Sequence, residues 1–347
     1  MEPDCQPEQS LAHPPDGELT HPSADFVPAR YARNAHAQAV LSSFWLRRPF
    51  VLRRARDLLR DSRPQVLDCG AGVRLQGFFA AGRGARPAPR RLAVLIHGWE
   101  GSADSLYLIS AAANLQTRGY DVFRLNLRDH GATHGLNVEL FHSCRLDEVV
   151  GAVRRLAADY PQHSLHLAGF SLGGNFALRV AARAGRAGLD VASVAAVCPV
   201  LDPAHTLEAL ENGWFGYRLY FLRRWRRSLR LKQASHPGVY DFRELLALPT
   251  LTDMTDYLVR HHSEFANLGA YLEGYAIVDG ALRDLEVPSR VIVAADDPII
   301  PFADVERLSA PPCLTVEATD FGGHCGYLHG ARLSSWIDEK VLQALDV

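Results

Sequence analysis

From residue 91 onward, short apolar runs alternate with segments of helical periodicity, and this alternation restricts the fold more than any other feature of the chain. Strands that alternate with helices form a mostly parallel sheet covered on both faces. The sequence therefore predicts an α/β protein. Its strands are expected at Arg91–Gly98, Asp121–Leu127, Ser164–Phe170, Val191–Val200, Arg290–Ala295 and Leu314–Ala318, and its helices at Ser102–Thr117, Leu146–Tyr160, Gly174–Ala184 and Arg332–Leu345. Ser102 is the expected N-cap of the first helix.

Residues 202–288 interrupt this alternation, because they contain helical, aromatic and basic stretches but no strand pattern. A gap of that size between two core strands indicates an inserted helical cap over 202–288. The core then consists of two parts, 25–201 and 289–347. Residues 1–24 are rich in proline and poor in large apolar side chains, so we expect a disordered tail there.

Bulk composition favours an ordinary globular protein. Apolar residues make up 48% of the chain, charged residues 22%, and the net charge is −2, which gives no indication of nucleic-acid binding. The six cysteines are scattered without a C-x-x-C pair, so we interpret them as free thiols. No apolar run is long enough to span a bilayer and no signal pattern opens the chain, so a cytoplasmic location is expected.

The pentapeptide "GFSLG", Gly169–Gly173, lies between a predicted strand and a predicted helix. In that context G-x-S-x-G is typical of a nucleophile elbow, a sharp turn that holds a serine at a helix N-terminus. Ser171 is therefore the candidate nucleophile. A serine hydroxyl needs a base to take its proton, and on such folds the partners follow in the order Ser, Asp or Glu, His.

Two neighbouring carboxylates follow a late core strand in "VIVAADDPIIP". We favour Asp297 as the triad acid, because it lies three residues before Ile300-Pro301. Asp296 then caps the loop, although the reverse assignment stays open.

The loop after the last predicted strand, "DFGGHCGYLHG", supplies His324, with glycines close on both sides, as the general base. His329 is expected to be a surface or capping residue at the start of the closing helix. The pair His261-His262 has no such position along the chain.

Two backbone N–H groups are required to hold the oxyanion of an acyl-transfer reaction. One is expected from Leu172, directly after the serine, and the other from Trp99 in the loop "HGWEGS" that follows an early strand. His97, in the same loop, is interpreted as a structural residue that supports the turn.

A second glycine motif, "VLDCGAG" at Val66–Gly72, resembles the first motif of S-adenosylmethionine methyltransferases. The next ten residues alternate like a strand, and neither a helix nor a suitably spaced acidic residue follows. We therefore predict a β-hairpin turn through Gly70 and Gly72. A methyltransferase remains a weak alternative.

Taken together, these motifs resemble the YheT-like α/β hydrolases, bacterial relatives of eukaryotic membrane-anchored hydrolase-domain esterases. The resemblance runs from about Phe26 to the C-terminus and includes "HGWEGS", "NLRDHG", "GFSLGGN" and "ADDPIIP". Asn34, His36 and Gln38 stand where the family has Asn-x-His-x-Gln, while Ala35 and Ala37 depart from its usual Pro and Leu. Asp129 replaces a common glycine in "NLRDHG", so that turn is expected to differ.

The resemblance implies carboxylic-ester hydrolysis, of short-chain or acyl-lipid esters, by Ser171, His324 and Asp297, without metal or organic cofactor. An acyltransferase or thioesterase with the same triad is the alternative, and a non-catalytic binding module on this fold is a weaker one. No obligate protein partner is inferred.

The segment Asn212–Lys232 is aromatic and strongly basic. It fits either a cap helix packed on the core with its arginines outward, which we favour, or a helix that rests on an anionic lipid surface.

Overall fold

A computed structural model describes residues 26–28, 30–84, 89–309, 311–330 and 332–346. The tail expected over residues 1–24 lies outside these ranges. Five cysteines lie within them, and all five are free thiols. No described helix is both long and apolar enough to cross a membrane.

The centre of the described chain is an eight-stranded sheet. Its strands are β1 (Arg63–Asp68), β2 (Arg74–Ala80), β3 (Arg90–Ile96), β4 (Asp121–Asn126), β5 (His163–Phe170), β6 (Val191–Val197), β7 (Ser289–Ala294) and β8 (Leu314–Thr319). They lie in the order β1-β2-β4-β3-β5-β6-β7-β8, and of these eight only β2 runs against its neighbours. Two short strands, β9 (Leu328–His329) and β10 (Ser334–Ser335), pair separately. The predicted mostly parallel sheet is confirmed.

Helices flank the sheet on both faces, where two clusters of buried apolar side chains form the core. The described helices are α1 (Ala35–Ser43), α2 (Arg48–Arg54), α3 (Arg56–Asp61), α4 (Leu106–Thr117), α5 (Leu146–Asp159), α6 (Leu172–Ala182), α7 (Ala184–Ala187), α8 (Pro203–Asn212), α9 (Phe215–Ser235), α10 (Arg243–Ala247), α11 (Leu251–His262), α12 (Leu268–Glu273) and α13 (Ile337–Leu345). Single 3₁₀ turns occupy Arg30–Ala32 and Phe302–Val305.

The stretch "VLDCGAG" forms the hairpin turn that the sequence predicts. It joins β1 to β2, which pair antiparallel. Gly70, Ala71 and Gly72 all have positive φ, at 87°, 51° and 77°. A left-handed turn of this kind favours glycine, and no helix follows it, so the stretch lacks the strand–loop–helix context of a methyltransferase motif.

Two predicted helix starts are wrong. The helix expected from Ser102 begins at Leu106, with Ser105 at its N-cap. Ser102 instead closes a turn, because Ser105 Oγ accepts from the Ser102 N–H at 3.0 Å and Ser102 Oγ accepts from the Asp104 N–H at 3.2 Å. The closing helix expected from Arg332 begins at Ile337, because Ser334 and Ser335 pair with β9.

Helices α8 to α12 all lie between β6 and β7, in the interval where the sequence predicts a cap. The apolar side of α9, with Tyr217, Leu222, Trp225 and Leu229, is buried, as in the packed-helix interpretation. Lys232 differs from the outward arginines: it is buried, and its Nζ contacts Asp129 Oδ1 at 2.7 Å. The cap boundaries 202–288 stay a prediction.

Candidate active site

The sequence-predicted residues meet at one edge of the sheet. Strands β3, β5, β7 and β8 are parallel, so their carboxyl ends lie on the same side. The loop 97–102 follows β3, Ser171 follows β5, Asp297 lies beyond β7, and His324 lies beyond β8. In open α/β sheets, that edge is where ligands bind.

Ser171 occupies a strained turn. Its φ is 53° and its ψ −123°, although it is not glycine, and its N–H donates to Val197 O at 2.8 Å. The chain can turn this sharply only because its neighbours lack side chains. A β-carbon on Gly169 would lie 2.1 Å from Gly173 O, and one on Gly173 would lie 2.2 Å from Ile96 O. The turn is the strand-to-helix geometry that exposes a nucleophile.

Asp297, and not Asp296, contacts the imidazole of His324. Asp297 Oδ2 lies 2.9 Å from His324 Nδ1, and the side chains are 3% and 12% exposed. The other oxygen, Oδ1, accepts from the N–H groups of Ile299 and Ile300 at 2.8 and 3.0 Å. The carboxylate is thereby fixed from both sides, and it holds the proton of the neutral imidazole on Nδ1.

Asp296 holds the loop that carries His324 through one hydrogen bond. Its Oδ1 accepts from the Gly323 N–H at 2.7 Å, next to His324. Burial raises the pKa of this carboxyl, and the Gly323 N–H opposes the shift. Asp296 therefore has the loop-capping contact expected for the second acid of the pair.

Ser171 and His324 face the same cavities, but within the described part of the chain no hydrogen bond joins their side chains. In enzymes without bound substrate, the contact between nucleophile and base is often loose and tightens when substrate binds.

Loop 97–102 packs directly against the serine. A β-carbon on Gly98 would lie 3.1 Å from Ser171 Cβ and 3.6 Å from its Oγ. The loop thus brings Trp99 beside the start of α6, where Leu172 is the first helical residue. No described residue accepts a hydrogen bond from the backbone N–H of Trp99 or of Leu172. Free N–H groups at a helix N-terminus attract negative charge.

Buried side chains hold this loop in place. His97 Nδ1 donates to Gly98 O at 2.7 Å, and its Nε2 accepts from the Leu127 N–H at 3.1 Å. Burial lowers the pKa of His97 to about 4, so the ring is neutral and both of its nitrogens are used. These contacts agree with the structural role that the sequence analysis gives His97.

Three further supports were not identified from the sequence. His130 Nε2 accepts from the Glu100 N–H at 3.1 Å, Tyr107 Oη accepts from the Gly98 N–H at 3.0 Å, and Arg224 Nη2 donates to Glu100 O at 2.6 Å. His130 lies in "NLRDHG", directly after Asp129. Asp129 has a φ of 59°, the left-handed conformation that favours a glycine at this position. The "NLRDHG" motif is the one sequence signal that points to a support of loop 97–102.

Glu100 is a buried carboxyl in the same loop. It is 8% exposed and lines the larger cavity described below. Burial raises its pKa to about 7, against the opposing effect of Arg224. The side chain is therefore partly protonated near neutral pH.

Two cavities adjoin Ser171. One has a volume of about 100 Å³ and lies beneath α8, α9 and α12; the other has a volume of about 660 Å³ and lies between α9 and the segment that links α1 to α2. The residues that line both are Trp99, Ser171, Phe221, Ile299 and His324. The candidate nucleophile and base therefore stand where the two spaces join.

Neither group of potential metal ligands in the described residues forms a convincing metal site. Asp202, His205 and Asp304 lie close together, but Arg307 already supplies the cation, with Nη1 2.7 Å from Asp202 Oδ2 and 3.3 Å from Asp304 Oδ1.

The other group of potential metal ligands consists of Cys198, His324 and Cys325. Its histidine is held by Asp297, and burial raises the pKa of Cys325 well above that of an ordinary thiol, which disfavours the thiolate that a metal requires.

The remaining histidines singled out from the sequence lie elsewhere. His329 is exposed in β9, not at a helix start as predicted, and His261 and His262 end α11. None of the three lines either cavity at Ser171.

A family model described as "alpha/beta hydrolase fold" matches residues 93–331. The chain belongs to this family. The matched range contains the serine turn, both aspartates, His324 and the helices between β6 and β7. The predicted α/β-hydrolase fold is thereby confirmed.

Among curated proteins, this α/β hydrolase is 25% identical over 329 residues to "Putative esterase YheT" of Escherichia coli (strain K12), and the match covers 92% of each chain. The resemblance to YheT-like proteins is therefore confirmed. Among solved structures, a Pyrococcus furiosus esterase is similar with a TM-score of 0.53 and 14% identity, over 84% of this chain and 92% of that one. A membrane phospholipase A has the same TM-score and 18% identity, over 90% and 94%. At these identities, the two structures indicate the fold alone.

Proposed function

We propose that this protein is a serine hydrolase that cleaves carboxylic esters through Ser171, His324 and Asp297. The observation that carries the proposal is the Asp297–His324 pair, 2.9 Å apart, at the edge of the sheet where Ser171 stands on a strained turn. The family membership and the esterase description of the Escherichia coli relative favour the same reaction.

In the proposed reaction, Ser171 Oγ attacks the ester carbonyl carbon and His324 Nε2 takes the hydroxyl proton. Asp297 accepts from Nδ1–H, which keeps the base tautomer and stabilises the imidazolium as it forms. His324 then returns the proton to the departing alkoxide oxygen as the C–O bond breaks. Water, activated by the same imidazole, releases the carboxylic acid and restores the serine.

The backbone N–H groups of Trp99 and Leu172 are the proposed donors to the oxyanion. The support for this assignment is their position beside Ser171 and their lack of acceptors among the described residues. Each such donor contributes about 3 kcal/mol to transition-state stabilisation. The hydrogen bonds of His97, His130 and Tyr107 keep the loop in one conformation before substrate binds.

The test is hydrolysis of p-nitrophenyl esters from acetate to palmitate by the wild type and by Ser171→Ala. We expect turnover by the wild type and its loss in the variant, with an unchanged melting temperature to show that the fold is retained. Equal turnover by the two proteins would contradict the assignment of Ser171.

We further propose that the protein touches lipid surfaces at the mouth of the larger cavity. Large apolar side chains are exposed there in two segments, with Trp45 66%, Phe215 64% and Tyr220 48% exposed. Arg223 and Arg227, which follow Tyr220 along α9, are exposed and would attract anionic headgroups. Because the apolar face of α9 is buried, this contact uses the exposed side chains of the helix and not that face.

Co-sedimentation with vesicles tests the lipid contact. We expect more protein to bind anionic than neutral vesicles, and Arg223→Glu with Arg227→Glu to remove the difference. Equal binding to both kinds of vesicle by the wild type would contradict the proposal. A cytoplasmic location and the cap boundaries 202–288 remain proposals from the sequence.

A further inference from the structure

The two cavities at Ser171 differ in size and in chemistry, and this difference bears on which half of an ester each one takes. The inference rests on the proposed ester hydrolysis, because it concerns the substrate of that same site. An ester bound for attack places its carbonyl carbon at Ser171, so its acyl and alcohol halves extend in different directions. The two spaces that diverge from Ser171 and His324 can receive them separately.

The smaller cavity takes the shorter half of an ester. Its volume of about 100 Å³ is less than a sixth of the 660 Å³ of the larger cavity. Its walls are mainly apolar. They come from α6, from the loop after β6 and from α8, α9 and α12, and include Leu172, Val200, Leu207, Leu210, Trp225 and Leu272. Leu210 is 5% exposed and Leu172 3% exposed, so the walls are fixed by core packing.

The larger cavity, of about 660 Å³, is lined by both polar and aromatic side chains. Glu100 and Arg224 provide charge, while Trp45 and Trp214 are 66% and 42% exposed at the surface. A bulky group with polar and apolar parts can bind there and reach solvent.

The order in which the products leave indicates which half of the ester binds in which cavity. After the first step, the acyl group is covalently attached to Ser171, while the alcohol must leave before water can enter. None of the side chains that line the small cavity is exposed, so an alcohol there would have to pass the acyl group to escape. An alcohol in the large cavity, whose lining includes exposed side chains, leaves directly and opens a path for water.

We infer that the acyl half occupies the small cavity and the alcohol half the large one. The preferred substrate is then an ester of a short-chain carboxylic acid with a larger, amphiphilic alcohol. Leu207 and Leu210 set the acyl length, and Trp45 contributes to recognition of the alcohol.

Two ester series test this assignment, one that varies the acyl chain of p-nitrophenyl esters and one that varies the alcohol of butyrate esters from ethyl to naphthyl. We expect kcat/KM to be highest between acetate and butyrate, and at least about tenfold lower for octanoate, because methylene groups that do not fit have this order of effect.

Variants of the small cavity should move the acyl optimum in opposite directions. Leu210→Ala enlarges the cavity and should move the optimum at least two carbons longer. Leu207→Phe fills it and should move the optimum toward acetate. Leu207 is only half-buried, so this second variant keeps the test valid if Leu210→Ala does not fold.

Trp45→Ala is the matched change in the large cavity. We expect it to lower kcat/KM for naphthyl relative to ethyl butyrate by about fivefold or more, with the acyl optimum unchanged. A wild-type optimum at octanoate or longer would overturn the inference, as would a shift of the acyl optimum by Trp45→Ala and not by Leu210→Ala. Hydrolysis of none of the esters would be a different result, which contradicts the proposed function itself.

Discussion

Replacement of Asp297 by asparagine should inactivate the protein by trapping the wrong tautomer of His324. In the wild type, Asp297 Oδ1 accepts from the N–H groups of Ile299 and Ile300, while Oδ2 contacts His324 Nδ1. An asparagine that keeps both backbone hydrogen bonds must turn its NH₂ group toward Nδ1. The imidazole then accepts at Nδ1 and carries its proton on Nε2, where it can no longer take the proton of Ser171.

The alternative amide orientation is disfavoured by the same contacts. A flipped asparagine would face the N–H groups of Ile299 and Ile300 with its own NH₂ and leave both without their acceptor. At about 1 kcal/mol or more for each lost hydrogen bond, the inactive orientation is preferred by about 2 kcal/mol. A tautomer error of this kind lowers kcat by about 10⁴-fold, equivalent to about 5 kcal/mol in the barrier.

The assay is kcat and KM for p-nitrophenyl butyrate, with circular dichroism to verify folding. Asp296→Asn is the matched control, because it changes the adjacent carboxylate in the same way. Its Oδ1 can still accept from the Gly323 N–H, so we expect a loss of less than about tenfold. Retention of more than a tenth of wild-type kcat by Asp297→Asn would refute the tautomer argument, and a larger loss in Asp296→Asn would reverse the assignment of the acid.

Two further predictions concern stability. Burial raises the pKa of Glu100 to about 7 from an ordinary 4.5, so the folded state holds its proton over a pH range in which the unfolded state has released it. The free energy of unfolding should therefore fall by about 3 kcal/mol between pH 4.5 and 7 from this group, and Glu100→Gln should be more stable than wild type at pH 8 but not at pH 4.5, measured by urea denaturation. An equal effect at both pH values would contradict this. Lys232→Met should lower stability by about 3 to 5 kcal/mol, because it leaves Asp129 buried without the Nζ now 2.7 Å away. Much of that loss should be recovered by the double variant with Asp129→Asn, and a double variant no more stable than the single one would contradict the pairing.

The parts of the molecule that depend on local sequence were predicted well. Each predicted core strand agrees with the observed one within three residues at either end, because a continuous apolar run is required wherever a strand is buried on both faces. The turn at Ser171 was predictable for a similar reason, since Gly169 and Gly173 are the residues that such close backbone contacts require. The carboxyl ends of the strands then bring Asp297 to His324.

The supports of loop 97–102 were not predictable from the sequence. Arg224 reaches Glu100 across 124 positions of the chain, and His130 reaches it across 30. No local pattern marks such pairs. The start of α4 was misplaced for a different reason: Ser102 and Ser105 are both reasonable N-caps, and only the turn that they form together distinguishes them. The two cavities depend on how α8 to α12 pack, which periodicity does not describe.

The most direct test of the central claim is mass spectrometry of the protein after reaction with a fluorophosphonate, which phosphonylates an activated serine. We predict one adduct per chain, on the peptide that contains Ser171. The adduct should be absent from Ser171→Ala and should form far more slowly in His324→Ala. An adduct on another residue, or labelling of Ser171 at the same rate without His324, would contradict the account.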